Sequence, residues 1–145
     1  MSSTLLVTRE AFMRVRGFSD LRMNEDYELT LRLALRYSAS YVPDVLVHMR
    51  QHPGRTSMQS RETPLLDYIT IVESFLSSNR DLPADVKSHG KKGLANVHFK
   101  LACFYLETGN TPKARRHLGA MLHSRPLDRR GLYALARTLR QSRAL

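Results

Sequence analysis

Apolar residues recur at helical spacing through most of the chain. Leu65, Ile69, Val72 and Leu76 stand three or four apart and predict a helix that ends at Ser77-Ser78-Asn79. Beyond Pro83 a second stripe, Leu94, Val97, Leu101 and Tyr105, predicts another. Near the start, Thr8 stands where an N-cap belongs, ahead of a helix over 9–16, and Gly17 follows where a left-handed C′ residue is expected. Residues 25–37 are ambiguous by period, because Leu29, Leu31, Leu33 and Leu35 alternate as in a strand. Composition decides for helix: Leu, Ala, Arg and Glu dominate, Thr30 alone is β-branched, and Glu28 stands four residues before Arg32. Two stretches read as β. Residues 3–7 are a short β-prone start, and Tyr41-Val42, a Pro43-Asp44 turn and 45–49 form a second excursion.

The helical second half carries an internal repeat. Leu101-Ala102 returns 34 residues later as Leu135-Ala136, the period of a tetratricopeptide helix pair. Between them Gly109 permits the turn that closes the first helix, Ala114 is the small residue opening the second, Leu118 and Leu122 face back, and Pro126 ends it. Residues 95–128 therefore read as one repeat, followed by half of another. About three repeats are needed for a free-standing solenoid, so this tail is expected to pack on something else.

Charge changes the picture more than any other compositional feature. The net charge is +10, and between positions 113 and 143 nine Lys and Arg face the single acid Asp128. A run of this kind is either a solvated helical face or a surface for polyanions, among them the anionic inner leaflet of a membrane. Nucleic acid is the weaker partner, because Tyr133 is the one aromatic after Tyr105 and no stacking platform interleaves the charges. No run of apolar residues approaches a membrane span, and the first seven residues lack the basic n-region of a signal peptide, so a cytoplasmic location is expected, peripheral to the inner face of the plasma membrane. One cysteine, Cys103, leaves no intrachain disulfide.

Several short motifs in the first 57 residues bear on chemistry. They are Ser3-Thr4-Leu5-Leu6-Val7, then Gly17-Phe18, then Asn24-Glu25-Asp26-Tyr27-Glu28-Leu29, then Tyr41-Val42-Pro43, and finally Arg50-Gln51-His52-Pro53-Gly54. By themselves Glu25 and Asp26 are ordinary first-turn acids of a helix capped by Asn24, Gly17 is a plain C-cap, and His52 is an exposed loop histidine. Taken together, in order and at these separations, residues 2–57 resemble the acceptor-side part of a family 2 glycosyltransferase of the GT-A fold. The resemblance implies an inverting transfer of sugar from a nucleotide-sugar to an acceptor hydroxyl. Asp26, with Glu25 beside it, would be the base. Gly17 and Phe18 would form the turn near donor or acceptor, Arg50 would contact phosphate oxygens, and His52 would help ligate a divalent metal, Mg or Mn. Where the family has Gly-Gly-Phe, this chain has Arg16-Gly17-Phe18, which puts the turn in doubt.

The donor-binding half is missing: the sequence contains no Asp-x-Asp and no opening βαβ pattern. The expectation is thus a predominantly helical α+β chain. Residues 1–60 would be a glycosyltransferase remnant with short β strands, and 61–145 an antiparallel, tetratricopeptide-like helical tail. Such a fragment, truncation or split-enzyme part would not transfer sugar or hold a metal alone. Its nucleotide-sugar and its glycan or lipid-linked acceptor belong to the complete enzyme, and its unpaired strand edges would favour self-association. The alternative is a basic adaptor module without catalysis, binding a protein or a membrane surface.

Overall fold

The computed structural model describes residues 4–21, 23–48 and 60–141. These form six α-helices: α1 (Arg9–Arg14), α2 (Glu25–Ala34), α3 (Thr63–Ser78), α4 (Ala84–Glu107), α5 (Thr111–Ser124) and α6 (Arg129–Gln141). The chain divides into two compact units, Met1–Asp67 and Tyr68–Leu145, with the boundary inside α3.

In the first unit, Thr8 accepts the Ala11 N–H at 3.2 Å and starts α1, satisfying one of the donors that a helix N-terminus leaves unpaired. The helix ends in a Schellman motif: the Gly17 N–H donates to the Phe12 carbonyl at 2.9 Å, and the Arg16 N–H to that of Met13 at 3.0 Å. The C′ residue is therefore Arg16, at φ 64°, and Gly17 is the residue after it, also at φ 64°. Expecting Gly17 at C′ was one position late, because the two backbone bonds count from Phe12 and Met13. Asn24 does not cap α2 with its side chain; it sits at φ 62° and its Nδ2 donates to the Pro64 carbonyl at 2.7 Å. Asp67 accepts the Met23 N–H at 3.1 Å, so the entry to α2 is tied to the first turns of α3. Among the described residues, Ala11, Val15 and Leu29 are the buried apolar side chains of this unit.

The expected α+β architecture is overturned. Among the described residues there is no strand and no sheet, and the fold is all-helical. Residues 5–8 and 41–48 are irregular, and Tyr41, Val45 and Leu46 stand 84, 79 and 72 % exposed. A β-prone run becomes a strand by pairing its N–H and C=O groups along a ladder and burying one face. Here Pro43 interrupts the run, no neighbouring edge is offered, and composition alone does not hold it extended against a sheet.

The second unit is built on α4. Leu94, Ala95, Val97, Leu101, Ala102 and Tyr105 of α4 are buried, as are Ile71 and Val72 of α3 and Ala114, Leu118 and Met121 of α5. A Cβ on Gly93 would collide with the Tyr68 hydroxyl, so the bare glycine makes room for the end of that side chain between α3 and α4. Gly109, at φ 75°, is the C′ residue of α4; its N–H donates to the Leu106 carbonyl at 3.2 Å and that of Asn110 to Tyr105 at 2.7 Å. Asn110 then caps α5 by accepting the Lys113 N–H at 3.2 Å, with Pro112 in the first turn. Two helices joined by so short a turn run antiparallel, which places His117 of α5 beside both Tyr105 and His98 of α4. The third helix continues the pattern. Arg115 of α5 reaches the Thr138 carbonyl of α6 at 2.5 Å, while at the other end Gly131 lies against Met121 and Leu122. Arg130 of α6 donates to Asn96 of α4 at 3.2 Å, two positions one repeat period apart. Its guanidinium also lies 5.3 Å from the Phe99 ring.

Candidate functional site

Two regions carry the chemistry legible in the sequence: the neighbourhood of Asp26 in the first unit, and the basic surface of the second. Glu25 and Asp26 are half-buried in the first turn of α2, where the helix dipole favours negative charge. The Asp26 carboxylate accepts the Tyr27 N–H at 2.8 Å, and its own carbonyl accepts the Thr30 hydroxyl at 2.7 Å. Gly17 is held at the far end of the same helix. Arg32 donates to the Gly17 carbonyl at 2.6 Å and to the Val15 carbonyl, while its Nε and Nη2 engage both Glu28 oxygens at 2.6 Å. Arg32 stands six residues after Asp26, about 9 Å along the helix axis. The glycine turn is thus anchored beside Arg32, not beside the two acids. Phe18 is half exposed and packs edge-on against Phe12 at 5.5 Å, which itself covers Gly17. Arg50 and His52 lie outside the described residues. Among the described residues no group of three or more His, Cys, Asp or Glu is placed to hold a metal ion.

Sequence reasoning gave Arg32 only the part of an i, i+4 partner of Glu28. The structure makes it the link between α1 and α2, a five-donor fork that satisfies the Val15 carbonyl left over by the end of α1 and the Gly17 carbonyl of the turn after it. The signal was the bare carbonyls that every helix C-terminus presents, for which a nearby arginine is a suitable donor.

The second unit brings together two histidines that no spacing rule pairs. Nδ1 of His98 and Nδ1 of His117 are 2.9 Å apart, so one ring donates and the other accepts. His117 also stacks on Tyr105 at 5.4 Å, and the Lys113 ammonium lies 5.0 Å from that tyrosine ring. Burial pushes the His98 pKa below its ordinary value, against a smaller upward pull from Glu73. The Cys103 thiol pKa is pushed up by burial and then by Glu107, which favours the protonated thiol.

Around these pairs the surface is strongly basic. Fourteen Lys and Arg and five acids lie in 68–145, so the second unit carries nine of the ten net positive charges. Lys91, Lys92, Lys100, Arg116, Arg129 and Arg137 are exposed. Asp128, the one acid between positions 113 and 143, is held by Arg130 at 2.9 Å and by Arg125 at 3.6 Å, and its pKa is lowered to about 2 by the Arg130 hydrogen bonds and these charges. Among the described residues no helix is long and apolar enough to cross a membrane. No known protein family, curated protein or solved structure matches the chain.

Proposed function

We propose that the chain is a non-catalytic helical module of the tetratricopeptide kind that lies on an anionic membrane surface, on the cytoplasmic side. What carries this reading is the concentration of nearly all the net charge on the second unit, on exposed lysines and arginines of α4, α5 and α6. Each such residue near an anionic leaflet contributes about 1 kcal/mol, screened by salt. Half a dozen exposed cations thus supply peripheral binding without an inserted segment. Flotation with phosphatidylglycerol vesicles tests it: the protein rises with anionic vesicles at low salt, stays down with neutral ones, and is released at high salt. Equal flotation on both lipids, or none on either, would overturn it, and retention on DNA with failure on vesicles would transfer the role to nucleic acid.

A sugar-transfer role within a larger enzyme is the second reading. Its support is the motif series of residues 2–57 and the place of Asp26 in the first turn of α2. Mixing the chain with a nucleotide-sugar, an acceptor and Mg or Mn tests whether it turns over alone; the expected result is no transfer. Restoration of transfer by a donor-binding partner, lost again in Asp26→Asn, would favour the enzyme-part reading over the membrane module.

A further inference from the structure

At the C-terminal ends of α1 and α2 four arginines border one open depression. Arg14, Arg16, Arg32 and Arg36 line it with Val15 and Leu35, and its volume is about 240 Å³. Arg14 pairs with Glu10 at 2.9 Å and Arg32 with Glu28 at 2.6 Å. Arg16 and Arg36 are exposed, and their side chains have no hydrogen-bond or ion-pair partner among the described residues. Four guanidiniums against two carboxylates leave two positive charges in surplus.

Helix C-termini ordinarily repel anions through their bare carbonyls. Here the Val15 carbonyl at the end of α1 already accepts from Arg32, as does the Gly17 carbonyl in the turn beyond it. Arg16 itself is held in an unusual backbone conformation. It occupies the left-handed region at φ 64°, at a C′ position where glycine would sit without steric cost.

We propose that this depression binds a phosphomonoester dianion. The surplus matches its charge, Arg16 and Arg36 supply unengaged forks for its oxygens, and Val15 and Leu35 offer an apolar wall to the ester carbon. The dianion can arrive on a soluble small molecule or on a lipid headgroup.

The test is a titration of the full chain, labelled at arginine Nε, at mildly alkaline pH where the phosphate is doubly charged. The probes are inorganic phosphate and vesicles containing phosphatidate. The Nε–H resonances of Arg16 and Arg36 shift saturably with inorganic phosphate, and Arg36→Gln weakens the binding about tenfold, as does Arg16→Gly. The amide spectrum of each variant reports that it is folded. Phosphatidate vesicles that compete with inorganic phosphate assign a lipid headgroup; vesicles without effect assign a soluble monoester. Shifts that sodium chloride reproduces at matched ionic strength, or that persist unchanged in both variants, overturn the proposal. Neither variant touches the basic surface of the second unit, so flotation and phosphate binding can fail separately.

Discussion

Leu118 and Leu127 are alike in the sequence and opposite in the fold. Leu118 is fully buried on α5 between Ala114 and Met121, whereas Leu127 is 89 % exposed in the turn before α6. Leu118→Ala removes most of a buried side chain from the face that α5 turns to α4, and leaves a cavity that helices joined by a tight turn close only in part. The cost of such a deletion is the lost transfer free energy plus the cavity, about 3 kcal/mol. In a unit of this size each kcal/mol lowers the melting temperature by roughly 4–8 °C, so the expected fall is roughly 12–24 °C. Leu127→Ala is expected to stay within about 0.5 kcal/mol of the wild type. Urea unfolding followed by helical circular dichroism measures both, with an unchanged slope showing that the same unit unfolds. A Leu118→Ala effect below about 1 kcal/mol, or equal effects of the two variants, would refute the packing of α5 on α4 described above.

Other outcomes follow from the same geometry. Because burial holds the His98 pKa below the 6.5 of the unfolded chain, the folded state binds fewer protons, and this contribution to stability is present above that pH and lost as the pH falls through it. The groups facing the ring are His117, Glu73 and, beyond His117, Tyr105 and Lys113. Urea midpoints measured from neutral pH downwards should decline in the wild type and decline less in His98→Gln; identical slopes would exclude the histidine pair as the source. Arg16→Gly removes a left-handed L-residue and is expected to stabilise the first unit by about 0.5–1 kcal/mol, read as slower amide exchange in α1 and α2. Arg32→Lys cannot serve Val15, Gly17 and Glu28 together and should cost about 1–3 kcal/mol by the same measurement.

The helices were legible because their signals are local. Thr8 and Gly109 act within a few residues of where they stand, and the stripe from Leu94 to Tyr105 reports its own burial by its period. The β expectation failed for the opposite reason. A strand is a property of two segments, and the β-prone 41–47 has no ladder partner among the described residues, whatever its own composition. The candidate site divides the same way. Asp26 in a first helical turn could be read from Asn24-Glu25-Asp26, but Arg32 bridging to Val15 and Gly17 depends on how two helices cross, which no spacing encodes. His98 and His117, on facing helices 19 residues apart, were equally invisible.

Membrane attraction through the second unit has one most direct measure, the partition coefficient on phosphatidylglycerol vesicles as ionic strength is raised, for the wild type beside Lys92→Glu/Lys100→Glu/Arg116→Glu. At about 1 kcal/mol for each basic residue near the surface, the triple variant should bind at least on the order of a hundredfold more weakly at low salt, and its salt dependence should flatten. Partitioning that is indifferent to the three reversals, or that does not fall as salt rises, would contradict a charge-driven membrane module.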